Sequence, residues 1–448
     1  MRLIILGGGF AGLRLARLLS NRPGWDITLI DRFNYHQFQP LFYQVATAGL
    51  DASNISFPLR KALQNSRNVR IRMAEVLRLN LEANQVITAE DTYGYDYLVL
   101  ATGATTNYFG NAELERYAFP MKSTVEALRI RHQLIQNFES ALHTSDPEVL
   151  QRLMQVVVVG GGPTGVELSG AIAEMKTWVL PRDYPELDFS RMRIFLLEAG
   201  SKTLGAMSAA SSRKSEAYLQ QLGVEVWTGA ALENYDGKTV QLKDGRRIPA
   251  ALVIWAAGIR GNVPVGVDPQ LIARGNRIRV DDFNRLPGRE DVFVLGDLAY
   301  LESEAFPNGL PQVAPVAVQQ ATLLARNLQL LQAGKPMRPF RYRDKGSMAT
   351  VGRHLAVVDV PRPKLHFGGF FAWLVWMFLH LMLILGVKNR FFVFVNWLYN
   401  YFTYDQHLRL IFREFYRAPV VEGTNEILST TDADHRNRQV AGSKLPCN

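Results

Sequence analysis

A glycine-rich turn that joins a short apolar strand to a helix occurs twice in this chain of 448 residues. The first strand runs from Leu3 to Leu6 and is followed by the turn Gly7–Gly12, GGGFAG. The second runs from Gln155 to Val159 and is followed by the turn Gly160–Gly165, GGGPTG. In this motif the first glycine makes the tight turn, the second lets the backbone approach a pyrophosphate, and the third lets the helix pack on the strand. The sequence therefore predicts two dinucleotide-binding α/β halves.

An acidic residue ends the strand that follows each turn. Asp31 ends the strand that begins at Asp26, and Glu198 ends the strand that begins at Arg193. In nucleotide-binding folds of this kind, such a carboxylate accepts hydrogen bonds from ribose hydroxyls. It would also repel the 2′-phosphate of NADPH, so Glu198 favours NADH in the second half, although the nearby Lys202 weakens that preference.

Three further apolar strands end in small or acidic residues, as is expected where the chain passes close to a cofactor. They are Tyr97 to Gly103, Val253 to Gly258 and Val292 to Asp297. Gly296 would allow the backbone to approach a flavin dinucleotide, and Asp297 could bind its ribityl hydroxyls. Two dinucleotide sites in one chain predict a bound FAD and a visiting nicotinamide dinucleotide.

The cysteine and charge content excludes several kinds of protein. Cys447 is the only cysteine, so no intrachain disulfide, cysteine-liganded metal site or redox-active cysteine pair can form.

Most of the net charge of +9 lies between residues 336 and 417, beside the most apolar run of the chain. That combination favours the anionic surface of a membrane over nucleic acid. Because no signal peptide precedes the first strand, we expect the chain to act at the cytoplasmic face of the cell membrane.

The segment from Phe370 to Val387 is apolar except for His380, and its eighteen residues reach only the lower limit for a membrane-spanning helix. Polar and basic residues from Lys388 to Arg390 interrupt it, and an aromatic, partly polar stretch follows at 391–402. Tryptophan and tyrosine in both stretches favour the membrane interface. We expect a helical hairpin that lies in one leaflet, rather than a spanning helix or a soluble dimer core, with His380 packed rather than carrying protons.

These features resemble the two-dinucleotide-binding-domain flavoproteins, and most closely the type II NADH dehydrogenases, which pass electrons from NADH to quinone without pumping protons. The resemblance covers residues 1 to about 417. It rests on the apolar C-terminal segment and on four motifs, which are His36–Leu50 (HQFQPLFYQVATAGL), Gly160–Leu168 (GGGPTGVEL), Val313–Ala321 and Lys345–Gly352 (KGSMATVG). It implies an α/β fold with two Rossmann-like domains, one for FAD and one for NADH, and a C-terminal membrane-associated helical region.

The motifs and the resemblance together imply a set of site residues and no metal. The residues implied for FAD are Gly7, Gly9, Phe10, Ala11, Gly12, Asp31, Arg32, Gln44, Ala101, Thr102, Gly103, Gly296, Asp297, Ala317 and Gln319. Those implied for NADH are Gly160, Gly162, Pro163, Thr164, Gly165, Glu167, Glu198 and Gly258. The quinone is expected to meet Gln44, Gln319 and Lys388. The implied catalytic residues are Glu167, between nicotinamide and flavin, and Gln319.

Two positions depart from the family pattern. The quinone-side motif of the family has two glutamines, of which Gln319 matches the second while Pro315 replaces the first. A hydrogen bond that the first glutamine makes in other members is therefore lost. Ala171 stands where many relatives carry an acidic residue. The simpler alternatives are that Glu167 is a solvated glutamate in the first helical turns and that Gln319 is an ordinary residue near a helix start.

The chain is expected to comprise six segments and to act as a homodimer. They are a first part of the FAD domain (1–112), a helical connection (113–153), an NADH domain (154–262), a second part of the FAD domain (263–335), a membrane-anchoring and dimerisation region (336–421) and a disordered tail (422–448). The other expected partners are the bilayer surface and a membrane quinone, ubiquinone or menaquinone. Two alternatives remain, a soluble NADH-dependent flavoreductase with a non-quinone acceptor and an NADH-sensing flavoprotein without turnover.

Overall fold

The protein is an α/β fold built on two five-stranded parallel sheets. The structure is a computed structural model and describes residues 1–406 and 408–411, so the tail predicted at 422–448 lies outside it. The first sheet contains, in spatial order, Val292–Val294, Tyr97–Leu100, Arg2–Leu6, Asp26–Asp31 and Val69–Met73. Its first strand comes from far along the chain, as the insertion of a second half requires.

The second sheet repeats the plan of the first. It contains, in spatial order, Phe119–Pro120, Leu252–Trp255, Gln155–Val159, Arg193–Glu198 and Val224–Thr228. The strand that precedes the glycine turn lies in the middle of each sheet, and its two neighbours run parallel to it. Parallel sheets are covered on both faces, which explains why residues 156–159 and 194–197 are all buried and apolar.

Helices cover both sheets. In the described residues the α-helices are Phe10–Leu19, Phe42–Ala46, Leu59–Ala62, Ala112–Tyr117, Thr124–Ala141, Pro147–Leu153, Pro163–Glu174, Leu180–Asp183, Ala209–Gln221, Ala314–Gln332, Phe370–Leu383 and Val387–Thr403. A π-helical turn, Met175–Val179, continues Pro163–Glu174 into the stretch that separates it from the strand ending at Glu198.

Short antiparallel strands surround the two main sheets. They are Tyr35–Gln37 with Ser56–Pro58; Val76–Asn80, Gln85–Thr88 and Thr92–Gly94; Ala104–Thr106 with Ile259–Gly261; Leu232–Tyr235, Thr239–Leu242 and Arg247–Pro249; and Ile272–Ala273 with Arg277–Arg279, which pairs in parallel with Ala299–Tyr300. The connection predicted at 113–153 holds helices and also Phe119–Pro120, which joins the edge of the second sheet.

The C-terminal region is a small sheet followed by two antiparallel helices. The sheet contains Ser347–Thr350, Ala356–Pro361 and Lys364–Gly368. The helices are Phe370–Leu383 and Val387–Thr403, and the rings of Trp373 and Tyr401 stack with their centroids 5.6 Å apart. The first helix has 14 residues and is about 21 Å long. Among the described residues, no helix combines the length and the apolarity that a membrane span requires.

The two C-terminal helices have one face packed on the protein and one face of exposed large apolar side chains. The packed face carries Ala372, Trp376, Val393 and Trp397, all of which are buried. The exposed face carries Phe370, Phe371, Phe378, Leu379, Met382, Leu383, Val387, Phe391, Phe392, Phe394, Val395, Leu398 and Phe402. We call these two helices and their connection, residues 370–403, the C-terminal hairpin.

Candidate active site

The first glycine turn has the geometry of a pyrophosphate cradle. Gly7 has a φ of +103°, and a Cβ there would lie 2.3 Å from the carbonyl oxygen of Ala101. A Cβ on Gly12 would lie 1.9 Å from the oxygen of Gly7, so the helix can approach the strand only without a side chain. A Cβ on Gly9 would meet nothing within 4 Å. That open space lies where the helix begins at Phe10, where backbone N–H groups attract an anion.

Asp31 holds the first turn in place. Its carboxylate accepts hydrogen bonds from the backbone N–H of Gly8 at 2.5 Å and of Phe33 at 2.7 Å. Burial raises the pKa of Asp31, while these two bonds and the charge of the exposed neighbour Arg32 act against that rise. The carboxylate therefore lies directly beneath the turn, and its predicted contact with a ribose stays a prediction.

The predicted strand-end residues meet beside this turn. Gly296 donates its backbone N–H to Oε1 of Gln320 at 2.7 Å, and a Cβ on it would lie 3.3 Å from that of Ala317 and 3.8 Å from that of Ala11. Asp297 is half-buried; desolvation raises the pKa of its carboxyl, and the charges of Lys122 and Arg277 lower it in part. These residues thus bring a close-packed backbone and a carboxyl to the same region as the first turn.

The chain passes between the two halves at residues 102–103 and again at residues 258–262, and these two segments are hydrogen-bonded to each other. The hydroxyl of Thr102 donates to the carbonyl of Asn262 at 2.6 Å, and the backbone N–H of Asn262 donates to the carbonyl of Gly103 at 3.0 Å. A Cβ on Gly258, at the other crossing, would lie 2.7 Å from the ring of Phe109. The predicted cofactor residues Thr102, Gly103 and Gly258 therefore also fix how the chain passes between the sheets.

The second turn repeats the geometry of the first. Gly160 has a φ of +111° and packs on Ala256, where a Cβ would come within 2.6 Å of the backbone. A Cβ on Gly165 would lie 1.9 Å from the oxygen of Gly160, whereas one on Gly162 would meet nothing within 4 Å. The helix begins at Pro163 and continues through Thr164, so its first turn faces the open space.

Glu198 occupies the place that Asp31 has in the first half. It accepts hydrogen bonds from the backbone N–H of Gly161 and of Gly200, both at 2.6 Å. Lys202 donates to the carbonyl of Met207 at 3.3 Å. Lys202, whose charge weakens the predicted preference for NADH, is thus hydrogen-bonded to the backbone. The carboxylate of Glu198 lies at the second glycine turn.

Glu167 is buried, which excludes the solvated alternative. It lies on the helix Pro163–Glu174, is 8% exposed, and accepts the backbone N–H of Thr350 at 3.4 Å. Burial raises its pKa to about 8, and Thr350 and the side chain of Trp376 lower it in part. The carboxyl is therefore mostly protonated at neutral pH, where the C-terminal sheet and the C-terminal hairpin both meet the second half.

The three residues predicted at the quinone lie in different surroundings. Gln44 donates to the hydroxyl of Tyr43 at 2.8 Å and accepts the indole N–H of Trp397 at 2.7 Å, so it joins the C-terminal hairpin to the first half. Gln319 bonds both the N–H and the carbonyl of Arg343, each at 3.0 Å, and its amide is held by that segment. Lys388 is exposed at the start of the helix Val387–Thr403.

Several site residues were missed in the sequence. Gln320, one position after Gln319, is the glutamine that contacts Gly296, and Pro315 fits the first turn of its helix because no N–H is needed there. Thr350 donates its backbone N–H to Glu167, and Trp376 lies in one apolar cluster with the neighbours of Glu167; both come from regions distant in the chain. Only the position of Gln320 in the helical repeat, together with Ala317 and Ala321, could have indicated its role.

His380 is packed, as predicted. Its ring stacks on Trp376 with a centroid distance of 4.1 Å, and Nδ1 lies 2.7 Å from the carbonyl oxygen of Trp376. Burial lowers its pKa to about 4, so the imidazole is neutral at physiological pH.

Comparison with known proteins first defines the class. Residues 1–321 match the family model described as pyridine nucleotide-disulphide oxidoreductase, and residues 345–404 match the one described as NDH2 C-terminal domain. The structure of NDH2 from Plasmodium falciparum in complex with NADH has a TM-score of 0.82 at 22% identity, over 92% of this chain and 99% of that one. The protein is thus a pyridine nucleotide-disulphide oxidoreductase in fold, although it lacks a cysteine pair.

Curated relatives narrow the class. The chain is 38% identical over 416 residues to the type II NADH:quinone oxidoreductase Ndh of Mycobacterium tuberculosis, covering 88% of this chain and 87% of Ndh. It is 34% identical to NdhA of the same organism, over 98% of this chain and 97% of NdhA. The chain belongs to the type II NADH:quinone oxidoreductases, which confirms the resemblance seen in its motifs. Its two dinucleotides are FAD and NADH.

The residues present fit both groups. Each turn leaves open space beside a helix start, at Gly9 and at Gly162, where a pyrophosphate can approach backbone N–H groups. The half-buried carboxyl of Asp297, with no hydrogen bond to its oxygens among the described residues, fits the ribityl hydroxyls of FAD. The carboxylate of Glu198 fits an unphosphorylated ribose.

Proposed function

We propose that this protein is a peripheral membrane enzyme that transfers a hydride from NADH to FAD and two electrons onward to a membrane quinone, without pumping protons. One observation carries the proposal: the C-terminal hairpin packs on both halves. Its Trp397 donates the indole N–H to Gln44 of the first half, and its Trp376 lies in one apolar cluster with Val166 and Leu168, the neighbours of Glu167 in the NADH half. The packed face of the hairpin therefore lies against both dinucleotide halves, while its opposite face carries the exposed apolar side chains.

The first half holds FAD in this proposal. The helix start at Phe10, with the room left by Gly9, binds the pyrophosphate, and Asp297 binds the ribityl chain. When bound, FAD accepts the hydride of NADH and supplies the two electrons that reduce quinone. The protein positions the flavin. Gln320 holds the backbone of Gly296 by a hydrogen bond, and close packing around Gly296 fixes the course of the backbone there.

The second half binds NADH in preference to NADPH. The helix start at Pro163 and the room left by Gly162 take the pyrophosphate. Glu198 accepts the ribose hydroxyls and would repel a 2′-phosphate. Glu167, protonated at neutral pH, places no negative charge beside the nicotinamide and can hold a proton there.

The quinone approaches from the C-terminal hairpin. Gln44 lies between Tyr43 and Trp397 and is the predicted quinone residue that the hairpin contacts directly. Lys388, exposed at the start of the second hairpin helix, lies where an entering quinone leaves the lipid. Gln319 acts through Arg343, by holding the segment that leads to the C-terminal sheet.

The hairpin binds the cytoplasmic face of the cell membrane. Its outer phenylalanine and leucine side chains, among them Phe371, Phe378 and Leu383, are exposed and would insert below the headgroups. The exposed Lys364 and Lys388 lie on either side of the first helix and attract anionic lipid. A second copy of the chain covers part of the same region, which makes the working form a homodimer. The six-segment division of the chain, with the NADH domain at 154–262, belongs to the same proposal.

Steady-state kinetics on purified protein test the proposal. We expect NADH oxidation that depends on a short-chain quinone and that is much slower with NADPH. Flotation with vesicles of anionic lipid should carry the protein upward, and neutral vesicles should carry less. Flavin reduction by NADH without quinone reduction would favour a non-quinone acceptor, and absence of any turnover would favour a sensor; either result would refute the proposal.

A further inference from the structure

A cavity of about 100 Å³ lies where the NADH half, the C-terminal sheet and the C-terminal hairpin meet. Glu174 and Arg353 supply its charged groups, and Tyr43 and Trp376 form part of its aromatic wall. Trp376 also lies in one apolar cluster with Val166 and Leu168, the neighbours of Glu167, so the cavity is close to the buried carboxyl of the active site. The volume is large enough for several water molecules.

Polar atoms on the cavity wall lack partners in the described part of the chain. They are Nε of Arg353, Nε1 of Trp376, Oδ1 of Asn400 and Oε1 of Gln406, which are buried and make no hydrogen bond there. A buried donor or acceptor that stays unpaired costs free energy, about 1–3 kcal/mol each. Two donors and two acceptors around the same space therefore indicate that water occupies it.

Glu174 exposes an ionisable carboxyl to this cavity. It ends the helix Pro163–Glu174, just before the π-helical turn Met175–Val179, a kind of turn that is frequent at functional sites. Oε1 accepts the backbone N–H of Arg353 at 2.6 Å. Burial raises the pKa of Glu174 to about 7, while the N–H and the guanidinium of Arg353 lower it in part. The carboxyl keeps some solvent contact through the cavity, although protein surrounds it on the other sides.

The other titratable groups that face Glu174 are phenols. The guanidinium of Arg353 lies over the ring of Tyr404 at 3.4 Å and over that of Tyr401 at 5.0 Å, so these rings hold the cation on its side of the cavity. Tyr43 also lines the cavity. Among the described residues, Arg353 supplies the positive charge on the cavity wall. Burial outweighs its effect on the pKa of Glu174, so Glu174 can gain and lose a proton near neutral pH.

Tyr43 lies within electrostatic reach of both carboxyls. Burial raises its pKa well above the usual value, and the charges of Glu167 and Glu174 raise it further. Its hydroxyl accepts a hydrogen bond from Gln44, which leaves the O–H free to donate. Glu167 and Glu174 are seven residues apart on one helix, hence on the same face and about 10 Å apart along the axis. That distance is too long for direct transfer, and a phenol with one or two waters can bridge it.

The reaction needs a proton that NADH does not supply. The hydride carries two electrons and one proton, whereas quinol contains two electrons and two protons more than quinone. NADH, one proton and quinone therefore give NAD⁺ and quinol, and that proton comes from water. We propose that Glu167 gives its proton to the quinone as the quinone is reduced, and that Glu174 takes a proton from the water-filled cavity and passes it, by way of cavity water and Tyr43, to the Glu167 carboxylate. The O–H bond of Glu174 breaks as the proton leaves, and water in the cavity protonates the carboxylate again. This inference rests on the proposed quinone reductase activity.

Turnover measured with ferricyanide and with quinone as the electron acceptor distinguishes a proton-relay role of Glu174 from a structural one. Ferricyanide takes electrons without protons, whereas quinone takes both, so only the quinone reaction needs proton uptake. We expect Glu174→Gln to lower the quinone-dependent kcat by about tenfold or more. NADH:ferricyanide turnover should stay within about twofold of wild type, since that reaction makes no use of the relay. The fall in quinone-dependent rate as pH rises through about 7 should disappear in this variant. Glu174→Asp should keep part of the quinone activity, and Glu186→Gln, an exposed glutamate of the same half, is the matched control.

The opposite results would overturn the proposal. Equal losses with ferricyanide and quinone would show a structural role, and an unchanged quinone rate would show that the proton takes another route. Should Glu174→Gln lose FAD, Ala171→Leu decides instead, because it fills the cavity without removing an ionisable group and should cause the same selective loss. Wild-type protein that reduces ferricyanide and no quinone would refute the proposed function itself, which is a separate result.

Discussion

The close approach of helix to strand in the second glycine turn makes Gly165→Ala the sharpest test of the fold around NADH. A methyl group there would lie 1.9 Å from the backbone oxygen of Gly160. Ordinary van der Waals contact between carbon and oxygen needs more than 3 Å, so the helix Pro163–Glu174 must move by over 1 Å. Its next contact is Leu196 of the neighbouring strand, at 3.3 Å, which allows little movement.

The expected loss of folding stability in Gly165→Ala lies at the upper end of the range measured when a methyl group is added to a packed core. Inserting a methyl group into a well-packed core costs about 1–3 kcal/mol, and a backbone neighbour cannot rotate away, so we expect about 3 kcal/mol. The same shift would displace Glu167, which lies two positions further along the helix. Gly162→Ala is the matched control, because the same substitution three residues earlier meets nothing within 4 Å of the added Cβ.

Thermal unfolding and NADH kinetics measure the difference. Gly165→Ala should lower the Tm by several degrees and impair flavin reduction by NADH. Gly162→Ala should keep the Tm and raise the KM for NADH, since its methyl group fills only the space left for the pyrophosphate. Equal stability of Gly165→Ala and wild type, with unchanged NADH kinetics, would refute the assignment of this turn.

Three further predictions concern specificity, stability and membrane binding. Glu198→Arg should exchange repulsion of a 2′-phosphate for attraction and raise kcat/KM for NADPH relative to NADH, by about tenfold or more, which steady-state rates with each nucleotide would measure. The folded-state pKa of Glu167 is raised from 4.5 to about 8, so the native state keeps a proton that the unfolded chain loses, and stability falls as pH rises across that interval. Glu167→Gln should therefore unfold at a higher urea concentration than wild type at pH 8.5 and at a similar one near pH 4. Replacing Phe371 and Phe378 by serine should reduce flotation with anionic vesicles, without loss of NADH:ferricyanide activity, because both side chains are exposed on the outer face of the hairpin.

The parts of the site that depend on local sequence could be predicted from it. The glycines of the two turns are required by contacts within one strand–turn–helix unit, and Asp31 and Glu198 end the adjacent strand, so short-range patterns suffice. The break in the apolar C-terminal run was likewise indicated by Lys388 to Arg390, just after the point where the structure separates two helices.

The remaining parts depend on contacts between distant segments. The glutamine beside Gly296 is Gln320 rather than Gln319, because one residue turns a helical side chain by about 100° and the motif alone does not fix that rotation. The cavity brings together Tyr43, Glu174 and Arg353, which lie on three separate segments. No spacing in the sequence indicates that these segments meet, since tertiary packing alone brings them together.

Anaerobic stopped-flow absorbance at 450 nm measures both halves of the proposed reaction in one experiment. NADH is mixed with the purified, flavin-loaded protein, and a short-chain quinone follows. We expect NADH to bleach the flavin absorbance faster than NADPH does, and quinone to restore it promptly. Absence of bleaching by NADH, or bleaching that no quinone reverses, would contradict the assignment of this chain as an NADH:quinone oxidoreductase.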